Sequence, residues 1–347
     1  MSRLSAWCIG LIARSAPILL GLFPIVVSVF SESASSEPDQ GAWHTAAPMP
    51  TKRTEAAAAA LDGKIYVVGG FEKPSMGNVM NFAITPSVEM YDPAVDRWTS
   101  KAPLPTGLHH VGIGVVDGRL YIIGGYGKSG LSVWNPVATV YAFDPTTDTW
   151  TERAPMPTAR GALSVTEHDG KLYAIGGYDR KANSAAVEVY DPTRNAWTAA
   201  AALPTARDHL AAATSAGKIY AIGGRLNGDY SRNLAITERY DPATDRWTRV
   251  SDLPTARSGI TAAVNDGRIY VFGGEGPEGT FHENEVYDPV RESWQSMAPM
   301  PTARHGLGSA MVRGYIYVLS GGPTPGGSFS DLNEVFTAPS RHGSMTE

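Results

Sequence analysis

Five arginines recur at the end of a Pro-Thr-x-Arg motif, at Arg53, Arg160, Arg207, Arg257 and Arg304 of a 347-residue chain. A guanidinium presents a rigid fork of donors that fits a carboxylate bidentately, so five of them converging on one face would suit an anionic ligand. Five glutamates also recur, Glu89, Glu188, Glu238, Glu285 and Glu334, each two residues before an aromatic. Five copies at one offset point to a repeated hydrogen bond rather than to paired-carboxylate acid–base chemistry. Histidines His109, His110, His209 and His305 follow the arginine slot, but in units two, four and six, which are not adjacent. Because Zn–N bonds need ~2.0–2.1 Å, that separation argues against a metal, and no cofactor is expected. Gly-x-Ser-x-Gly, His-Glu-x-x-His and phosphate-loop motifs are absent from the sequence.

These residues sit in a repeat. Gly-Gly pairs begin at Gly69, Gly124, Gly176, Gly223, Gly273 and Gly321, and Trp43, Trp98, Trp150, Trp197, Trp247 and Trp294 precede them, at spacings of 47 to 55 residues. Ten residues after each Trp comes the arginine slot, with Leu108 in unit two, and ten later a glycine. Four of those glycines follow Asp, as in Asp62-Gly63. Asp-Gly between apolar segments predicts a tight hairpin, because both central residues need positive φ. The apolar stretches on either side are strands a and b. A third segment ends in an aromatic followed by Asp-Pro, as in Tyr91-Asp92-Pro93, and Trp stands seven residues beyond it. Asp-Pro turns the chain, so the aromatic closes strand c and the Trp lies on strand d. Four antiparallel strands repeated six times predict an all-β chain folded as a propeller.

The Gly-Gly doublet, the Tyr-Asp-Pro and the Trp at these offsets resemble kelch repeats, over Ala42 to Phe336. The resemblance implies a six-bladed kelch-type β-propeller. The sixth unit ends at Phe336-Thr337-Ala338-Pro339 without a following Trp, so the strand bearing Trp43 is expected to complete the last blade and close the ring. In kelch propellers that bind acidic peptides, arginines in this slot contact the ligand. On that basis the expected ligand-binding set is Arg53, Arg160, Arg207, Arg257 and Arg304, with Tyr126, Tyr178, Arg225, His209 and His305 nearby.

Length variation within the repeat falls almost wholly between Gly-Gly and strand c, which are 22, 19, 14, 17, 14 and 15 residues apart in units one to six. Enlarged loops on one face mark a binding face. Lys73, Trp134, Asp179, Arg180, Asp229, Tyr230 and His282 are its rim candidates.

Composition narrows the partners. Net charge is −5 with no basic block, which excludes the electrostatic footprint of a nucleic-acid binder. The apolar run Ile18–Phe30 behind Arg3 and Arg14 reads as a secretory signal or N-terminal anchor over residues 1–31. A polar linker (32–41), the propeller (42–338) and a polar tail (339–347) follow, and the body is expected outside the cytoplasm, touching membrane only through the leader. The single cysteine, Cys8, lies in that leader. A cysteine-free body has no thiolate nucleophile and no disulfide, and it lacks the Tyr–Cys cofactor of copper oxidases that share kelch blades. The expected function is a binding module for a protein or glycan, anionic in character. The alternative is a sugar mutarotase resembling N-acetylneuraminate epimerase, since exported kelch proteins include such enzymes. A ubiquitin-ligase adaptor is disfavoured by the outward-pointing leader and the lack of room for a BTB domain.

Overall fold

A computed structural model describes residues 39–73 and 83–339; the leader and the polar tail beyond Pro339 lie outside them. Six four-stranded antiparallel sheets stand among the described residues, and they contain no helix. Blade one runs a Ala57–Leu61, b Lys64–Val68, c Val88–Asp92 and d Arg97–Lys101. Blades two to five repeat this order, with strands a at Gly112–Val116, Ser164–His168, Ala211–Ser215 and Thr261–Asn265. Blade six has a Gly308–Val312, b Tyr315–Leu319 and c Asn333–Thr337, and its outer strand is Ala42–Thr45, paired Trp43 to Phe336. The a–b hairpins turn through two positive-φ residues, for example Asp62 at 51° and Gly63 at 70°. That is the primed geometry that a right-handed strand twist favours.

Three sets of stitches join each blade to the next. Outermost, each Trp indole donates to a carbonyl of the neighbouring blade: Trp98 to Ala47, Trp150 to Ala102, Trp197 to Ala154, Trp247 to Ala201, Trp294 to Ser251 and Trp43 to Ala298. Within each blade that Trp packs on the strand c aromatic, at about 5 Å between ring centroids. Midway, the second glycine of each doublet donates its N–H to the arginine-slot carbonyl of the next blade, as Gly125 does to Arg160 and Gly224 to Arg257. In blade one a Cβ on the first glycine, Gly69, would come within 2.4 Å of that carbonyl, and one on the second, Gly70, within 2.6 Å of the Thr54 carbonyl of its own blade.

Blade six departs from the expected register by one residue. Ser320 (φ 59°) and Gly321 occupy the doublet positions, and Gly321 donates to Arg53 of blade one. The residue that follows the doublet there is therefore Gly322, not Pro323, and it pairs with His305.

Innermost, two residues past the arginine slot, six residues form a closed ring of backbone hydrogen bonds. Glu55 donates to Gly306, Gly306 to Gly259, Gly259 to His209, His209 to Ala162, Ala162 to His110 and His110 back to Glu55, at 2.7–3.2 Å. All six have left-handed φ of 52–66°. For Glu, His and Ala that conformation is strained, and it persists only where the surroundings over-determine it. Here each N–H must reach the carbonyl of the adjacent, preceding blade around the axis. The ring caps one end of an axial cavity of about 460 Å³, lined by the six inner strands.

Candidate functional site

The Pro-Thr-x-Arg motif is a structural clamp, which corrects the expectation that its arginines face a ligand. Arg53, Arg160, Arg207, Arg257 and Arg304 are all wholly buried. Arg160 shows the pattern: its Nη1 donates to Glu188 Oε2 (2.5 Å) and the Thr158 carbonyl, its Nε to the Gly176 carbonyl and its Nη2 to the Ala174 carbonyl. The motif threonine completes the clamp, Thr158 Oγ1 donating to Glu188 Oε1. Arg207 with Glu238, Arg257 with Glu285 and Arg304 with Glu334 repeat it, and Arg53 pairs with Glu89. Burial pulls the guanidinium pKa down in each case, and the facing glutamate offsets only part of that fall. The recurring glutamates and arginines are thus partners, 28 to 36 residues apart in the chain. Blade two lacks both: Leu108 stands in the arginine slot and Tyr141 at the glutamate position, so the pair is replaced as a unit.

The residues that do converge lie on the loop face, above the axial ring. Ring positions Glu55, His110 and His209 come from blades one, two and four, yet their ligating atoms lie within 4.8 Å of one another. The His110 and His209 ring centroids are 4.9 Å apart. The expectation that histidines of non-adjacent blades stay apart is therefore wrong. The backbone ring is so narrow that residues across it touch.

Around this trio runs a buried polar network. His109 Nε2–H donates to the Val133 carbonyl (2.8 Å), and the His109 and His110 Nδ1 atoms share a 2.6 Å hydrogen bond. His110 Nε2 stands 3.2 Å from Glu55 Oε2. Arg225 Nη2 donates to His209 Nε2 (2.8 Å), which leaves His209 Nδ1–H to donate to Asp208 Oδ1 (2.6 Å). Arg225 Nη1 also donates to Glu275 Oε1 (2.6 Å). His305 Nε2 faces Glu55 and Glu275 at 3.7 and 3.6 Å. Burial takes the His109 pKa down to about 3. It takes His110 well below 6.5, with His109, His209, Arg225 and His305 adding to the effect. Burial pushes the Asp208 carboxyl up, but the hydrogen bond and charge of His209 outweigh it and leave the pKa below the usual range.

Of the other expected site residues, Tyr126 is buried with its hydroxyl donating to the Tyr178 carbonyl, and its ring packs on Gly161 where a Cβ would clash. Arg225, His209 and His305 are buried in the network. Tyr178 is half-buried at the rim, where the Arg180 guanidinium lies 5.1 Å from the Trp134 ring and 5.9 Å from the Tyr178 ring. Trp134 also covers His109, His110 and Tyr126 from above. Glu55 went unnoticed in the sequence. Its signal is the column two past the arginine slot, Glu55, His110, Ala162, His209, Gly259 and Gly306, which varies in polarity while everything around it repeats.

The family model described as the KLHDC2/KLHL20/DRC7 Kelch-repeats domain matches residues 90–252 and 163–338, and the Kelch motif model matches 52–105. The chain belongs to the kelch-repeat family. Kelch-like protein terF of Aspergillus terreus is 35% identical over 127 residues, 36% of this chain and 27% of that protein. Beta-scruin of Limulus polyphemus is 33% identical over 137 residues, 39% and 14% of the two chains. Human Kelch-like protein 28 is 40% identical over 101 residues, 28% and 18%. The matches thus span about a quarter or less of these relatives' own length. A solved structure, "Structure of YjhT", superposes with a TM-score of 0.72 at 16% identity, covering 85% of this chain and 97% of that one. At that identity the likeness shows a shared fold. The kelch blades of this chain hold its variable chemistry at two levels, the buried network at the axis and the cationic–aromatic rim above blades two to four.

Proposed function

We propose that this kelch propeller is an exported binding module that takes an anionic peptide or glycan on its loop face, over blades two to four. The observation that carries this reading is Arg180, exposed and held against Trp134 and Tyr178. A cation stacked on aromatic rings is pre-oriented and still offers its edge donors to an acidic group. Lys128, Lys181 and Arg232 are exposed on the b–c loops of blades two, three and four. The acids among them, Asp179 and Asp229, are turned onto backbone amides of their own loops. The two enlarged loops here fold as hairpins, Tyr126–Ser129 with Ser132–Pro136 and Arg225–Leu226 with Asp229–Asn233, which stiffens the surface. Pre-organisation of this kind lowers the entropic cost of binding.

The test is a glycan and peptide array on the purified body, followed by titration of the best acidic ligand. Arg180→Ala is expected to weaken binding about tenfold, roughly the loss of one hydrogen bond to a charged group. Unchanged affinity would remove Arg180 from the site. A sugar-mutarotase reading is favoured only by the His110–Glu55 couple, which borders the axial cavity. Anomer exchange faster than in buffer would carry the assignment to that reading. For export, full-length expression should yield the body outside the cytoplasm, cleaved between about Phe30 and Gln40 or held at the membrane by the leader. An intact soluble cytoplasmic form as main product would refute it.

A further inference from the structure

We propose that Glu55, His110 and His209 form a binding site for one divalent transition-metal ion of the Zn²⁺ type, at the axis of the propeller where the backbone ring closes. Proton bookkeeping leads to this site. A carbonyl only accepts, so His109 Nε2 bears its proton and, in the neutral ring, Nδ1 accepts. His110 Nδ1–H must then donate to His109 Nδ1 at 2.6 Å. His110 Nε2 is left with a lone pair, and 3.2 Å in front of it stands not a donor but the Glu55 carboxylate. Two acceptors facing each other in a buried site call for a cation between them.

The same bookkeeping holds for His209. Its Nδ1–H donates to Asp208 Oδ1 at 2.6 Å, so its Nε2 lone pair points outward, and there a cation already stands, the guanidinium of Arg225 at 2.8 Å. Arg225 has two further anionic partners, Glu275 and Asp208, and can yield His209 without losing its neighbours. Each imidazole is thus held by a hydrogen bond from its far nitrogen, the arrangement that orients metal-ligating histidines in known sites.

Charge and geometry agree. Glu55, Asp208 and Glu275 set three carboxylates around one guanidinium, Arg225, an excess of acidic oxygen that favours a cation. With Zn–N of ~2.0–2.1 Å and Zn–O of ~2.0–2.2 Å, neighbouring ligand atoms of a tetrahedral site lie about 3.3–3.5 Å apart. The Glu55–His110 separation of 3.2 Å is close to that edge. His209 must close in, from a trio spread over no more than 4.8 Å. The three ligands hang from a hydrogen-bonded backbone ring, so their Cα positions are set before any ion arrives. All three residues also border the axial cavity.

Titration of the full chain with ZnCl2 in a non-chelating buffer, followed by isothermal calorimetry, should show one saturable equivalent per chain. Co²⁺ in its place should give the visible d–d absorption of a four-coordinate site. Glu55→Gln and His110→Gln should each weaken the ion at least tenfold, whereas His282→Gln, at the exposed rim, should leave it unchanged. Zn²⁺ should also raise the melting temperature of the wild-type chain in a concentration-dependent way, a readout that needs no variant to fold. The proposal is overturned if neither ion binds stoichiometrically, or if binding persists equally in Glu55→Gln and His110→Gln.

Discussion

Arg257→Ala is expected to lower the unfolding free energy by about 3–5 kcal/mol, the cost of breaking a buried ion pair from one side. The guanidinium is wholly buried and serves Glu285 together with the carbonyls of Gly273, Thr255 and Val271. Alanine leaves that carboxylate buried, with Thr255 Oγ1 still donating to it, and takes a donor from three carbonyls as well. Desolvation penalties of this kind exceed the net worth of the bonds themselves. Blade two supplies the control, because Leu108 and Tyr141 fill the same two positions without charge. The double variant Arg257→Leu/Glu285→Tyr should therefore recover most of the loss, in keeping with the near-neutral replacement of buried ion pairs by apolar groups. Denaturant unfolding of both variants decides the matter. If the single substitution costs less than about 1 kcal/mol, the usual scale of an exposed pair, the clamp has been misread. Ligand binding at the rim should be unaffected in any variant that stays folded.

Removing residues 1–50, so that the chain begins at Thr51, is expected to destabilise the propeller and drive it to aggregate. Ala42–Thr45 is the outer strand of blade six, and without it Asn333–Thr337 becomes an open edge. Trp43 contributes most of the lost packing. Its ring lies 5.0 Å from Phe336 and 5.8 Å from Phe272, and its indole N–H reaches the Ala298 carbonyl at 2.8 Å. Trp43→Ala alone should cost about 3 kcal/mol, the lower end of the range for large aromatic truncations because this Trp is only half-buried. The deletion also removes Met49, which is buried in the core shared by blades one and six. Size-exclusion chromatography and thermal melting of the shortened chain provide the check. An unchanged melting temperature and monomer fraction would show that the ring does not depend on its N-terminal strand.

Much of the architecture was legible in the residues because its signals are local. Asp62-Gly63 and its counterparts mark hairpins through the positive φ they require, and Tyr91-Asp92-Pro93 marks the c–d turn through the rigidity of proline. Counting Trp strands against Gly-Gly strands placed Trp43 in blade six, since an unmatched strand must pair somewhere. The enlarged loops and the rim residues Trp134, Tyr178 and Arg180 likewise followed from comparing repeats, and the structure sets these three beside one another.

What tertiary structure alone decided is where charged side chains point and what they meet. An arginine slot beside the mouth is within reach of either the ligand face or the blade interior, and its spacing is the same for both. The interior prevails because Glu188, 28 residues from Arg160 in the chain, is delivered by strand c to the same depth. The doublet of blade six slid to Ser320-Gly321 because the positions are defined by contact with Arg53 across the ring, not by residue type. Most decisively, Glu55, His110 and His209 meet only because six left-handed residues draw the chain into one hydrogen-bonded ring. Nothing in a Glu, a His or an Ala announces that backbone conformation. It is imposed by six blades crowding one axis, and with it side chains from non-adjacent blades come to touch.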